Sequence, residues 1–197
     1  MKVKICGITN LKDAQDAINA GADALGFVFY SKSPRYIEPF EARKIVDQLP
    51  PFVQTVGLFV NEGNSFINQV CINAKMQLAQ IIDDDNYTDF GSLDIKYIKV
   101  LRATSKEDID SLGDEEFSLV DAFVEGFGGE GKRVALEWFE NKDCSKIILA
   151  GGLNENNLQE LKALNLYGVD VSSGVEASKG KKDKQKMINF VKAANEI

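Results

Sequence analysis

The segment Val3-Lys4-Ile5-Cys6-Gly7-Ile8-Thr9 begins with strand-like residues and ends with a cysteine, a glycine and a residue that favours helix N-caps. Asn10, the next residue, is a second good N-cap, so the segment predicts a strand, a loop and a helix in that order. In parallel α/β proteins, reactive side chains lie where a strand ends and its loop begins. Cys6 occupies that position. Inert packing is the alternative role, because cysteine is among the most buried residue types.

The alternation of strand and helix continues along all 197 residues. Strands are predicted at 3–6, 24–29, 54–60, 76–82, 95–101, 117–120, 146–150 and 168–171. Helices are predicted at 11–20, 39–48, 61–74, 105–112, 133–140 and 154–164, with a weakly helical stretch at 83–93 and a last helix, entered from the basic stretch 179–186, that ends at 194. Such alternation produces right-handed βαβ units and a parallel sheet. Eight repeats predict a single (β/α)8 TIM barrel of the short kind over residues 1–197; a doubly wound open sheet is the alternative.

The composition excludes several classes of partner. A net charge of −7 argues against a nucleic-acid or anionic membrane surface, because both need a basic face. No apolar run approaches 18 residues, so we expect a cytoplasmic protein that does not bind a membrane. Three widely spaced cysteines fit neither a disulfide framework nor a zinc site, and they favour a reducing compartment.

The chain contains no histidine. Ser-His-Asp and Cys-His mechanisms are therefore excluded, as is a metal held by histidine. Protons in an acid–base reaction would be moved by Cys, Asp, Glu, Lys or Tyr side chains. Three adjacent aspartates at 83–85 are interpreted as a solvated loop, because a hard cation needs ligands that converge from spaced positions.

Strand ends of a barrel meet at one rim, so Cys6, Asp121 and two glycine-containing turns should converge there. Gly151-Gly152 follows the seventh strand and Ser172-Ser173-Gly174 follows the eighth. Their backbone N–H groups and hydroxyls predict a cradle for an anion such as phosphate. Tight turns are the alternative reason for these glycines.

Arg35 lies in the loop after the second strand, between Pro34 and Tyr36. A guanidinium binds a carboxylate through two parallel hydrogen bonds, and nearby aromatic rings suit a planar ligand. A solvated surface arginine is the alternative.

Several segments together resemble the phosphoribosylanthranilate isomerase family of the tryptophan pathway. They span the chain in order and are Lys4-Ile5-Cys6-Gly7-Ile8-Thr9, residues 21–29, Ser33-Pro34-Arg35-Tyr36-Ile37, residues 56–61, residues 149–154 and residues 168–176. The resemblance implies a (β/α)8 barrel that catalyses an Amadori rearrangement of an aminoaldose to a 1-amino-1-deoxyketose. It also implies a small phosphorylated substrate, no cofactor and no metal. The chain is expected to be a monomer or a homodimer.

The resemblance also implies a role for each site residue. Cys6 matches the general base of the family and Asp121 its general acid. Arg35 matches the residue that binds the anthranilate carboxylate, and Asp170 lies near the sugar hydroxyls. The phosphate loops are matched by Gly151, Gly152, Ser172, Ser173 and Gly174.

Two departures from the family pattern stand out. The family has a histidine where this chain has Ile82, which means that this histidine is dispensable or that the fourth unit contributes differently. Glu130 replaces a serine or threonine in the glycine-rich loop after the sixth strand, so we expect its carboxylate to point away from the phosphate.

Alternative functions remain within the same fold. Other barrel enzymes that act on sugar phosphates use lysine and glutamate at strand ends, and Lys4 should point the same way as Cys6. A non-catalytic module that binds a phosphosugar would keep the glycine turns without needing both Cys6 and Asp121. Acid–base catalysis needs a Cys6 thiolate and a protonated Asp121, so we expect the fold to lower the first pKa and raise the second.

Overall fold

The computed structural model describes residues 1–113, 115–122 and 133–197. Eight parallel strands form a closed barrel in which each strand pairs with its sequence neighbours and the eighth pairs with the first. The strands are β1 Lys2–Cys6, β2 Ala24–Val28, β3 Gln54–Val60, β4 Leu78–Ile82, β5 Tyr97–Ala103, β6 Ser118–Ala122, β7 Ile147–Leu149 and β8 Gly168–Val171. The predicted (β/α)8 barrel is confirmed, and the open sheet is wrong.

Helices of unequal length cover the outside of the barrel. The α-helices are α1 Leu11–Ala20, α2 Pro39–Val46, α3 Asn64–Ala74, α4 Lys106–Asp110 and α5 Lys184–Asn195. Short 3₁₀ helices occupy Phe90–Ser92, Leu136–Phe139, Leu158–Leu164 and Ser173–Val175. Within the described ranges, no helix is long and apolar enough to cross a membrane.

Two predicted α-helices are 3₁₀ helices instead. The helix expected at 133–140 is reduced to Leu136–Phe139, and the one expected at 154–164 to Leu158–Leu164. In the second case the side chain of Asn157 binds the loop that precedes it, donating to the Gly152 carbonyl and accepting from the Asn154 amide. These bonds hold Asn157 in the loop, and the helix begins one residue later.

The first loop ends as the sequence predicts, with one difference. Asn10 caps α1 by accepting a hydrogen bond from the backbone N–H of Asp13, and Gly21 ends the helix at a φ of 101°. Thr9 is not the cap. Its hydroxyl donates to the Gly180 carbonyl at 2.7 Å, which ties the β1 loop to the far end of the chain.

Two apolar clusters stabilise the barrel. The larger fills the layer between the strands and the outer helices. The smaller consists of Ile98, Leu119 and Ala150 with Leu78, Val100 and Ile148 packed against it. Lys4 and Asp170 are also buried, although both are ionisable. Because strand side chains alternate between faces, Lys4 and Cys6 share one face of β1.

A two-stranded hairpin, β9 Glu176–Ser178 and β10 Lys181–Lys182, lies between β8 and α5. The strands are antiparallel, and Gly180 turns the chain between them at a φ of 78°. The sequence predicted only a basic stretch here, because a pair of strands this short has no alternating apolar pattern.

Replacing Gly168 tests the seam that closes the barrel. Gly168 pairs with Lys2 across β8 and β1, and a Cβ there would lie 2.7 Å from the Lys2 carbonyl oxygen. We expect Gly168→Ala to lower the free energy of unfolding by about 1–3 kcal/mol, because backbone rather than a flexible side chain must move. Urea unfolding measures it. Gly113→Ala is the control, since a Cβ there meets no atom of the described residues within 4 Å; equal losses in both variants would contradict the steric argument.

Candidate active site

Cys6 ends β1 with its thiol buried, the residue being 5% exposed. Gly26 of β2 lies directly opposite, and a Cβ there would lie 2.7 Å from the Cys6 sulfur and 3.0 Å from Lys4 Nζ. The absence of a side chain at Gly26 therefore leaves room for the thiol and the ammonium side by side. Beyond Cys6 the chain turns at Gly7, whose φ is 79°.

Lys4 forms a buried ion pair with Asp170 across the seam of the barrel. The Nζ–Oδ1 distance is 2.9 Å, and the two side chains are 9% and 8% exposed. The two residues are register partners of β1 and β8, so their side chains meet on the same face. The Lys4 ammonium also lies beside the Cys6 thiol, since both approach the position that a Cβ on Gly26 would occupy. As expected from the alternation, Lys4 and Cys6 face the same way.

Burial raises the pKa of the Cys6 thiol above its ordinary value. The positive charges of Lys4 and Lys182 oppose this rise, and the negative charge of Asp170 adds to it. The prediction that the fold lowers this pKa is therefore wrong. The loss of water around the thiol outweighs the two neighbouring ammonium groups.

The sequence predicted that Asp121 follows the sixth strand, but it lies inside β6. Burial and the neighbouring Asp170 carboxylate raise its pKa to about 6, against a backbone N–H from Ala122 and the charges of Arg102 and Lys4. This is the direction that a general acid requires, as expected. The following residues, 123–132, including Glu130 and its glycine-rich loop, lie outside the described residues.

The two glycine turns meet each other at the rim. Gly151 and Gly152 have φ values of 85° and 62°, which favour glycine. A Cβ on Gly174 would overlap the carbonyl oxygen of Leu153, so the turn after β8 packs directly on the loop after β7. The two segments predicted to form an anion cradle are thus brought together.

Ser172 and Ser173 occupy different positions in that turn. The hydroxyl of Ser172 points toward the β1 loop, because a Cβ on Gly7 would lie 3.1 Å from it. Ser173 begins the 3₁₀ helix Ser173–Val175. Of the two hydroxyls, that of Ser172 lies close to the Cys6-Gly7 turn.

Arg35 is buried, and its guanidinium forms two hydrogen bonds with Glu176. Nε contacts Oε1 and Nη2 contacts Oε2, each at 2.8 Å. Lys182, whose side chain is fully buried, reaches the same carboxylate at 3.0 Å. The solvated alternative for Arg35 is therefore wrong. Sequence reasoning assigned no role to Glu176 or Lys182, although Glu176 ends one of the segments that resemble the family.

At the position where the family has a histidine, this chain has Ile82 at the end of β4, which is apolar and only 5% exposed. The aspartates that follow contact different partners. Asp83 accepts from the N–H groups of Tyr87 and Thr88, Asp84 pairs with Arg102, and Asp85 accepts from Asn61. Each carboxylate therefore serves a separate structural contact.

The side chains described above can transfer protons at the carboxyl end of the barrel, where they are shielded from water. A thiol, a carboxyl group of raised pKa and an ion pair lie at the carboxyl ends of β1, β6 and β8, where (β/α)8 enzymes hold their active sites. The adjoining glycine turns can hold an anion, and Arg35 can hold a carboxylate.

Comparison with known proteins agrees with this geometry. The family model for N-(5'phosphoribosyl)anthranilate (PRA) isomerase matches residues 3–193. The N-(5'-phosphoribosyl)anthranilate isomerase of a Nitratiruptor species is 59% identical over 194 residues, covering 98% of each chain.

Two solved structures align along their whole length. A phosphoribosyl anthranilate isomerase in complex with reduced 1-(o-carboxyphenylamino)-1-deoxyribulose 5-phosphate has a TM-score of 0.83 at 36% identity and covers 100% of both chains. Monomers generated from the dimeric phosphoribosylanthranilate isomerase of Thermotoga maritima have a TM-score of 0.82 at 33% identity, again over 100% of both chains. The chain belongs to the N-(5'-phosphoribosyl)anthranilate isomerase family.

Proposed function

We propose that Cys6 is the general base and Asp121 the general acid of the isomerisation catalysed by this family. The chain is an isomerase of tryptophan biosynthesis, acting on N-(5'-phosphoribosyl)anthranilate. The observation that carries the proposal is the position of both side chains around the Lys4–Asp170 pair at the carboxyl end of the barrel. The other barrel enzymes that act on sugar phosphates use lysine and glutamate at strand ends, and they do not need this thiol and this carboxyl group together.

The reaction needs one proton donor and one proton acceptor. Asp121 protonates the ring oxygen of the furanose, and the C1′–O bond breaks to give a Schiff base. The Cys6 thiolate then removes the C2′ proton, and the released electron pair neutralises the iminium group as an enol-amine. Tautomerisation of the enol gives the ketone, 1-(2-carboxyphenylamino)-1-deoxyribulose 5-phosphate. Each step is general acid–base catalysis.

The charges around Cys6 support a thiolate as the base. Two ion pairs face it, Lys4 with Asp170 and Arg35 with Glu176, and each pair is neutral. Lys182 adds a third cation. With Asp121 protonated, the cluster therefore has a net charge of +1 when Cys6 is a thiol, and a thiolate neutralises it. This balance opposes the cost of burying the anion.

Substrate binding is divided among the remaining site residues. We assign the phosphate to the turns that contain Gly151, Gly152 and Gly174, together with the hydroxyls of Ser172 and Ser173. Backbone N–H groups of adjacent turns suit such an anion. Arg35 binds the anthranilate carboxylate. Asp170, which uses one oxygen for Lys4, contacts the sugar hydroxyls.

The bounds 1–197 are assigned to a single barrel domain. Its three cysteines are free and buried, which favours the reducing conditions of the cytoplasm as its location.

The first prediction concerns the two catalytic side chains. Cys6→Ser and Asp121→Asn should each lower kcat by about 10²–10⁴-fold, because a hydroxyl is a poor anion and an amide a poor acid. The loss of anthranilate-derivative fluorescence from freshly made substrate measures turnover. In the parent, kcat/KM should fall tenfold per pH unit below about pH 6, the pKa of Asp121, and stay constant from there to the higher pKa of Cys6. A Cys6→Ser enzyme that keeps most of its turnover would contradict the assignment of the Cys6 thiolate as the general base.

The free energy of unfolding of Asp121→Asn, compared at pH 7 and pH 4, is the control that this variant is folded. A carboxyl whose pKa rises from 3.8 to about 6 on folding makes the folded parent lose stability as pH rises through that window. The shift corresponds to about 3 kcal/mol, and asparagine does not titrate. The stability of the variant relative to the parent should therefore be greater at pH 7 than at pH 4 by up to that amount, measured by urea unfolding.

The second prediction concerns the anion cradle. Gly152→Val places a branched side chain on a backbone of positive φ, where phosphate oxygens would approach the N–H groups. We expect the inhibition constant for inorganic phosphate to rise about tenfold or more, together with KM. Gly113→Val, at an open position, is the control. If phosphate inhibits the Gly152→Val enzyme as well as the parent, the anion binds elsewhere.

The third prediction concerns the oligomeric state, for which we propose the homodimer. The N-terminal face has a cavity of about 500 Å³, whose lining includes the apolar residues Val56, Leu78 and Tyr97 together with charged residues such as Lys2 and Asp23. Phe52, which is 98% exposed, stands at its rim. A protruding ring and an apolar cavity on one face are self-complementary, as a two-fold interface requires. The relative from Thermotoga maritima is dimeric.

Light scattering during gel filtration tests this interface. We expect the parent to be a dimer and Phe52→Ser a monomer, whereas Phe40→Ser, at a 66% exposed position on α2, should stay dimeric. A parent that is monomeric at every concentration, or a Phe52→Ser dimer, would contradict the proposal.

A further inference from the structure

We propose that Glu176 is a positioning residue that holds one edge of the Arg35 guanidinium, so that the other edge receives the carboxylate of the substrate. The inference rests on the proposed role of Arg35 as the carboxylate-binding residue. It adds a specificity function to the β9–β10 hairpin.

The geometry of the contact leaves a complete edge of Arg35 for a ligand. A guanidinium has five N–H donors arranged as a planar fork. Glu176 takes one on Nε and one on Nη2. Of the other three, one on Nη1 and one on Nη2 form the second edge, which can bind a second carboxylate through two parallel bonds.

The hairpin fixes Glu176 independently of Arg35. Its Oε1 accepts from Lys182 Nζ at 3.0 Å and from the Gly180 N–H at 3.3 Å. Its own backbone carbonyl accepts from Lys186 Nζ at 2.8 Å. Lys182 is held in turn by the Ser172 carbonyl at 3.1 Å. The carboxylate thus has a set position against which the arginine is aligned.

The β1 loop packs against the aliphatic part of Arg35. A Cβ on Gly7 would lie 2.8 Å from Arg35 Cδ, so the aliphatic part of the arginine rests on the turn that follows Cys6. A Cβ on Gly180 would lie 3.0 Å from the Pro34 carbonyl, so the hairpin also packs against the residue before Arg35. Glu176 and Gly7 together set where the carboxylate-binding edge lies relative to the thiol.

Two analogues measure this function directly. One is reduced 1-(o-carboxyphenylamino)-1-deoxyribulose 5-phosphate, and the other is the same molecule without the carboxyl group. The ratio of their Kd values, from titration calorimetry, reports the carboxylate contact alone, because the phosphate and sugar contacts are common to both. We expect the carboxylated analogue to bind the parent about 10- to 100-fold more tightly.

Glu176→Gln should lower that ratio about tenfold while Arg35 is still present, because the amide cannot accept both bonds from the guanidinium. Its KM should rise, since the carboxylate contact is made in the ground state as well as in the transition state. Glu176→Asp, which keeps the negative charge beside Lys182 but shortens the side chain, should lower the ratio similarly. If Glu176→Gln does not fold, Glu176→Asp takes its place in the test.

Two further variants separate the possible failures. Glu41→Gln removes an exposed ion pair with Lys44 and should leave the ratio at the parent value. Arg35→Met should bring the ratio close to one; a parental ratio in this variant would overturn the role of Arg35 itself. If Arg35→Met collapses the ratio but Glu176→Gln and Glu176→Asp leave it unchanged, only the positioning role fails. A ratio that rises in the Glu176 variants would show competition with the substrate, and it would also overturn the proposal.

Discussion

The buried ion pair between Lys4 and Asp170 is the contact on which the rest of the site depends. It joins β1 to β8 across the seam that closes the barrel, and both ions lie where little water can reach them. Burying two charges costs several kcal/mol per ion, so such a pair persists only with close geometry and further hydrogen bonds. Here the Nζ–Oδ1 distance is 2.9 Å, and the Lys4 ammonium also lies beside the Cys6 thiol. The pair therefore brings an ammonium to the thiol and a carboxylate into the field of Asp121.

The pKa values of the proposed base, Cys6, and the proposed acid, Asp121, are both raised, and this has opposite consequences for the two groups. The higher pKa of Asp121 increases the fraction of this carboxyl group that is protonated at neutral pH, whereas the higher pKa of Cys6 decreases the fraction of thiolate. Burial is the main cause in each case. A shielded barrel mouth therefore helps the acid and hinders the base. Lys4 and Lys182 reduce the hindrance to the base, since their charges stabilise the thiolate.

Close backbone packing joins the rim loops into one surface. The turn after β8 lies against the loop after β7 because Gly174 has no side chain, and the β1 loop lies under Arg35 because Gly7 has none. The hairpin then adds two buried charges, Glu176 and Lys182, beside Arg35. The segment between β8 and α5 thus orients ionisable side chains at the rim of the barrel.

The sequence alone determined the barrel and the placement of Cys6, Asp121 and the glycine turns at one rim, because these follow from apolar periodicity and local turn chemistry. It also indicated the orientation of Lys4, since strand side chains alternate. Only the tertiary structure decided that Arg35 pairs with Glu176, 141 residues away, and that Lys182 completes the cluster. It also decided that the Cys6 pKa rises, because desolvation depends on what surrounds a thiol in space. Contacts between distant residues leave no local pattern, and burial cannot be read from a residue's immediate neighbours in the chain.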